Sequence, residues 1–165
     1  MGSTFSFDVV SDFDRQELVN ALDQVKRELV QRYDLKDSNT QINLEDKGII
    51  IDTTSDLTLE SVKDIVLQKA TKRNLSLKIF DFQLPESSSG NRVKQLIILK
   101  RGLSKEDAKK LGKVIRERMK KINVSIQGDS LRITGKSKDE LQHAIKILKD
   151  LESDLDFPLQ YENYR

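Results

Sequence analysis

The sequence predicts an α+β protein in which a strand, helix, strand, strand, helix, strand unit occurs twice, and three observations carry that prediction. First, Val124 to Lys138, VSIQGDSLRITGKSK, can be parsed by local rules. Val124 and Ile126, then Leu131 and Ile133, alternate with Ser125, Gln127, Arg132 and Thr134, which is the period of two half-buried strands. Gly128 and Asp129 between them suit a tight antiparallel turn, and Ser137-Lys-Asp-Glu140 reads as a capping box that opens a helix. Second, the same hairpin and helix recur at a constant offset of 82 residues. Ile42, Leu44, Ile49 and Ile51 match Val124, Ile126, Leu131 and Ile133; Ser55, Leu59, Val62, Ile65 and Val66 match Ser137, Leu141, Ala144, Ile147 and Leu148; Leu77 and Ile79 match Leu159 and Tyr161. These eleven positions align without a gap although few letters are identical, which marks a structural repeat. Third, Pro85-Glu-Ser-Ser-Ser-Gly-Asn91 punctuates the chain between the copies, because proline, serine and glycine disfavour any regular element. The expected organisation is a first unit at 1–84, a linker at 85–91 and a second unit at 92–165. Each is a ferredoxin-like βαββαβ domain, with a four-stranded antiparallel sheet and both helices on one face.

Taken in order, Phe5 to Asp12 alternates as FSFDVVSD and reads as the first strand. Asp14-Arg-Gln-Glu17 is a capping box for a helix in which Leu18, Ala21, Leu22, Val25 and Leu29 fall at helical spacing, ending near Tyr33. A polar stretch from Asp34 to Gln41 leads into the hairpin Ile42 to Thr53, turning at Glu45-Asp-Lys-Gly48. Thr58 or Asp56 caps the next helix, which carries Leu59, Val62, Ile65, Val66 and Lys69 towards Arg73, and Leu75 to Leu84 returns as a strand. In the second copy, Arg92 to Arg101 is a strand whose continuous apolar centre predicts burial on both faces. Ser104 caps a helix with Ala108, Leu111, Ile115 and Met119 on its buried side. Gly112 in its middle costs about 1 kcal/mol relative to alanine, which points to close packing there. After the hairpin, a helix runs from Lys138 to near Leu151, and Pro158 to Arg165 closes the unit as a strand.

Composition limits the function. Charged residues make up 34% and aromatics 5%, so a well-hydrated protein with a modest aliphatic core is expected. No apolar run approaches the roughly 18 residues of a membrane span, and residues 1–13 lack a basic flank followed by a hydrophobic block; the expected location is the cytoplasm, with no membrane partner. Cysteine is absent, which removes disulfides, thiolate metal sites and cysteine nucleophiles. The net charge of +2 hides an asymmetry: residues 1–90 hold 11 Lys and Arg against 16 Asp and Glu, residues 91–165 hold 18 against 11, and Arg92 to Lys121 alone holds 12 against 3. Such a stretch attracts a polyanion or complements the acidic half of the same chain.

Three sets of residues are candidates for binding. Lys109, Lys113, Arg116 and Lys120 fall four, three and four apart along one helix stripe, with Lys105, Lys110, Arg118 and Lys121 beside them. Gly135-Lys136-Ser137 stands between strand and helix like the end of a P-loop, but Ser130 occupies the place of that motif's first glycine. What remains is a weaker anion anchor at a helix start, with Lys136 and Lys138 adding charge. If Leu131 and Ile133 point inward, Ser125, Gln127, Arg132 and Thr134 face the sheet side without helices, together with Gln160, Glu162 and Tyr164, and Arg165 follows. Such groups stack on and hydrogen-bond to bases; the same face could equally pack on the other repeat. His143, the single histidine, reads as a solvent-flank residue beside Leu141, Ala144 and Ile145. No second histidine and no calcium-loop spacing is present, so neither an enzyme, a metal nor a cofactor is expected.

The segments SFDVVSD (Ser6 to Asp12), RYDLKD (Arg32 to Asp37), VKQLIILKRGLSKEDAKK (Val93 to Lys110), VSIQGDSLRITGKSKDELQ (Val124 to Gln142) and PLQYENYR (Pro158 to Arg165) together resemble the YajQ family of bacterial nucleotide-binding proteins. The resemblance covers nearly the whole chain and implies two ferredoxin-like domains with exchanged N-terminal strands, placing Phe5 to Val10 in the second sheet and Val93 to Lys100 in the first. It further implies non-catalytic binding of a nucleotide or RNA, with cyclic di-GMP as a ligand for some members. A transcription factor or signalling protein is an implied partner. The alternative is an adaptor that docks such a partner without binding nucleotide.

Overall fold

The computed structural model describes residues 4–165, so the first residues of the 1–13 segment lie outside it. Its elements are β1 (Phe5–Val10), α1 (Arg15–Gln31), β2 (Gln41–Leu44), β3 (Gly48–Thr53), α2 (Asp56–Lys72), β4 (Phe80–Phe82), β5 (Glu86–Ser88), β6 (Arg92–Leu99), α3 (Lys105–Arg118), β7 (Asn123–Gln127), β8 (Ser130–Gly135), α4 (Lys138–Leu151) and β9 (Gln160–Glu162). They form an α+β protein with four helices and two antiparallel sheets, ordered β7-β8-β1-β9 and β2-β3-β6-β4, with β5 also paired to β6. Each order is that of a ferredoxin-like sheet. The strand next to β8 is the N-terminal β1, Phe7 opposite Ile133 and Asp8 opposite Arg132, while β6 lies against β3 with Ile97 opposite Ile49. Two compact units result: Phe13–Lys100, and the residues up to Asp12 together with Arg101–Arg165.

Each helix starts where a short polar side chain satisfies backbone donors that the helix leaves free. Asp14, Ser55, Ser104 and Ser137 accept from the first turns of α1, α2, α3 and α4. Ser55, rather than Thr58 or Asp56, is the cap of α2, and it is the position that matches Ser137 in the repeat. In the 13–100 unit, Leu18, Leu22 and Val25 of α1 and Leu59, Val62 and Ile65 of α2 pack on Ile49, Ile51 and Ile97. In the other unit Phe7 and Val9 join Leu111, Ile115, Leu131, Ile133, Ala144 and Leu148. Gly112 packs as its cost suggests, since a Cβ there would lie 3.1 Å from Val124 Cγ1.

Three local expectations need correction. Leu75 to Leu84 is mostly not strand: Leu77–Ile79 is a 3₁₀ turn whose start is tied by Ser76 accepting from Lys78 N, and β4 is only Phe80–Phe82. Residues 85–91 hold β5 and a tight turn, with Gly90 and Asn91 both at positive φ (78° and 59°), so Ser87 pairs with Val93. Left-handed glycine and asparagine side by side are what a hairpin turn requires. On β6 only Gln95 and Ile97 are buried; Leu96 and Ile98 stay half-buried on the other face, because no helix covers that side.

Candidate functional site

The capping box that ends β8 fixes the first turn of α4. Glu140 N donates to Ser137 Oγ at 3.2 Å, and Lys136 N donates to Glu140 Oε2 at 2.9 Å. Two backbone donors of this phosphate-loop-like segment, Lys136 N and Glu140 N, are thereby held by the chain's own side chains, and Gly135 is buried against Glu140. Lys136 and Lys138 are exposed on either side of the cap.

Beside α4 lies a cleft of about 330 Å³ lined by Phe5, Lys138, Leu141, Gln142, Tyr164 and Arg165. Phe5 enters it from the start of β1, on the same face of the sheet as the buried Phe7. Lys138 and Gln142 enter from consecutive turns of α4, four residues apart and so on one helix face. Tyr164 arrives by a backbone device. Asn163, at a φ of 56°, breaks the alternation of the closing strand, and the chain re-pairs beyond it, Arg165 N donating to Ser6 O at 3.0 Å and Ser6 N to Arg165 O at 3.1 Å. The Tyr164 ring is thereby stacked on Phe7, centroids 5.9 Å apart and planes at 25°, while remaining 57% exposed. Tyr164 is therefore on the helix side of the sheet, not on the helix-free face where plain alternation puts it. Lys138 Nζ sits 5.8 Å from the Phe5 ring centroid, a cation–π arrangement. Among the described residues no Asp or Glu lines the cleft, and Lys138 brings a positive charge to it.

On the other flank of the same helix start, Arg118, Met119, Lys120, Lys121, Ile122, Glu140 and His143 surround a cavity of about 180 Å³. It joins the cap of α4 to the end of α3, whose exposed stripe of Lys109, Lys113 and Arg116 continues into Lys120 in the turn beyond the helix. Arg116 donates to Val124 O at 3.1 Å. No ion pair holds any of these α3 lysines among the described residues.

The helix-free face of the same sheet is different in kind. Arg132 donates through Nε and Nη2 to the two carboxylate oxygens of Asp8 at 2.9 and 3.3 Å, and Asn163 Nδ2 donates to Asp8 Oδ2 at 2.9 Å. The arginine hydrogen bonds hold the Asp8 carboxyl below the usual carboxylate range, against a burial that raises it, with Asn163 helping. Arg132 is thus engaged inside the fold, and Gln127 is tied to Ser125 at 2.6 Å. Of the sequence candidates, Lys138, Tyr164 and Arg165 converge on one cleft. Lys120 lines the neighbouring cavity, Gly135, Lys136 and Ser137 precede α4 outside both linings, and Lys109, Lys113 and Arg116 form a separate ridge. Phe5 and Gln142 were missed; their signals were the FSF alternation ahead of the buried Phe7 and the i, i+4 spacing of Gln142 from Lys138.

The family model described as nucleotide-binding protein YajQ-like matches residues 5–165. Proteins named nucleotide-binding protein are similar over the full length of both chains: 69% identical in Prochlorococcus marinus, 66% in Parasynechococcus marenigrum and 64% in a Synechococcus species.

Proposed function

The chain belongs to the YajQ-like family of nucleotide-binding proteins, and from that premise we propose that it binds, without turning it over, a phosphate-bearing nucleotide in the cleft beside α4. The observation that carries this reading is the union of aromatic and cationic groups around one opening, Phe5 and Tyr164 with Lys138. A base stacks against the exposed Tyr164 ring, Gln142 offers a donor and an acceptor to its edge, and a phosphate is drawn to Lys138. An ordinary general base is missing from the lining, which favours holding over chemistry. Lys136, Lys120, Lys121 and Arg118 lie where a continuing backbone would run towards the α3 ridge. A short single-stranded RNA is therefore the preferred ligand, and cyclic di-GMP, with two phosphates and two bases, is the compact alternative.

Titration of the full chain with a fluorescent oligoribonucleotide and with cyclic di-GMP at two salt concentrations tests this. Tyr164→Ala is expected to weaken binding by about 5- to 150-fold, since one stacked base contributes about 1–3 kcal/mol. Lys138→Ala should also flatten the dependence of log affinity on log salt. Saturable binding indifferent to both substitutions would place the ligand elsewhere, and no saturable binding of either probe would end the proposal.

A further inference from the structure

The two repeats differ on the helix-free faces of their sheets. Ile50 on β3 and Leu96 on β6 are directly opposite one another, and the corresponding pair in the other sheet is Arg132 and Asp8. One sheet fills those positions with an ion pair, the other with two aliphatic side chains. Ile50 and Leu96 floor a cleft of about 400 Å³, walled by Glu45 and Lys47 from the β2–β3 turn and by Gln83, Leu84, Glu86 and Lys94. Leu84 projects from this wall 89% exposed. The charges of the rim are also unusual. Asp52 and Arg92 on the same sheet pair at 2.6 Å, whereas the side chains of Glu45, Lys47, Glu86 and Lys94 make no hydrogen bond or ion pair among the described residues.

We infer that this face is a contact between two copies of the chain. A projecting apolar side chain and an apolar floor in one patch are the two halves of an isologous interface: across a two-fold axis each Leu84 seats on the Ile50 and Leu96 of its partner. The rim charges select the same occupant. Two lysines and two glutamates sum to zero, so a polyanion gains nothing there, and a strongly charged peptide of either sign meets as much repulsion as attraction. Such a mixed rim is complementary to a second copy in which the two-fold sets each lysine opposite a glutamate. None of these residues lines the cleft beside α4, so association and nucleotide binding are separable.

Sedimentation velocity of the full chain from low micromolar to millimolar concentration is the test, with an amide-resolved dilution series beside it. The expected result is a reversible rise towards twice the chain mass, with the amides of Ile50, Leu84 and Leu96 shifting on dilution. Leu84→Asp, at an exposed position, should keep its circular dichroism and raise the dissociation constant at least tenfold. A chain that stays monomeric throughout, a Leu84→Asp variant that associates like the wild type, or dilution shifts confined to other surfaces would each overturn the inference.

Discussion

Replacing Arg132 by isoleucine separates what the ion pair on β8 does from what the position requires. The Asp8 carboxylate is 4% exposed and is held by two nitrogens of Arg132 and by Asn163. Without the arginine it keeps one neutral donor and the more distant charge of Arg165, in surroundings nearly closed to water. Breaking a fully buried pair from one side costs about 3–5 kcal/mol; the Arg132 side chain is 34% exposed, so water already screens one side of the pair, and a loss of about 2–3 kcal/mol is expected. Asp8→Leu is milder, about 1 kcal/mol, because a freed Arg132 can turn into solvent. The double variant recreates the Ile50 and Leu96 pair that the sister sheet accommodates in the same register, so it should fall within about 1 kcal/mol of the wild type, a coupling of about 2 kcal/mol. Urea denaturation, with hydrogen exchange of the β1 amides to isolate this unit's transition, measures all four proteins. Single losses that simply add in the double variant would refute the reasoning.

The same variant should flatten a pH dependence. With Arg132 present the folded pKa of Asp8 is depressed, so the group contributes stability that is present above the unfolded carboxylate value of about 3.9 and is lost as pH falls through the folded pKa. In Arg132→Ile the burial remains and the main depressing cause is gone, so the folded pKa rises towards the unfolded one. The deficit relative to wild type is then largest near pH 7 and narrows as pH falls below about 5. A deficit independent of pH would show that the carboxylate is not its source.

Two further outcomes follow from the geometry. Gly48→Ala drives its methyl group into the carbonyl oxygen of Ile97 on the neighbouring strand, and because the obstacle is backbone the 13–100 unit should lose more than about 2 kcal/mol, read as an earlier urea midpoint at unchanged slope. Lys113→Glu combined with Arg116→Glu reverses the middle of the α3 ridge; if RNA tracks along it, the salt slope of binding falls by about 2 while the affinity for a mononucleotide in the cleft stays the same.

Much of this architecture was legible because it depends on local rules. The offset of 82 residues located both hairpins and set Ser55 opposite the capping Ser137, although the local letters put the cap of α2 at Thr58 or Asp56, and the helix faces of α3 and α4 followed from spacing alone. What escaped was set by single residues with long-range consequences. The positive φ of Asn163 turns Tyr164 to the other face of its sheet, and a period-two reading cannot see a one-residue break at a strand end. The proline and serines of 85–91 looked like a linker because composition reports propensity, whereas β6 supplies a partner edge that strand-poor residues can still join. Arg132 looked free because its partner Asp8 is 124 residues away. Phe5 and Gln142 were visible as letters but not as neighbours, since the cleft they share exists only once β1 and the C-terminal segment pair with each other.

That pairing explains why the halves of the repeat cannot be read as two beads on a string. Phe7 and Val9 of β1 are fully buried among side chains of α3, β8 and α4, and Ile97 of β6 is fully buried among those of α1, β3 and α2. Each of these strands is flanked on both edges, so removing either would cut a sheet through its middle. A boundary in the 85–91 hairpin would strip β6 from the strands it joins, β3 on one edge and β4 and β5 on the other. The chain instead passes from one unit to the other at residues 12–13 and again at 100–101. The segments at these crossings are locked side by side: Gly102 N donates to Ser11 O at 2.6 Å and Arg101 pairs with Asp12 at 2.6 Å. The 13–100 unit therefore closes on local chain alone, whereas the unit that carries the cleft must wait for β1 to find β8 across more than a hundred residues, a loop whose closure entropy slows its formation. Since Phe5 and the partner of Arg165 both lie on that returning strand, assembling the cleft is the same event as completing the sheet.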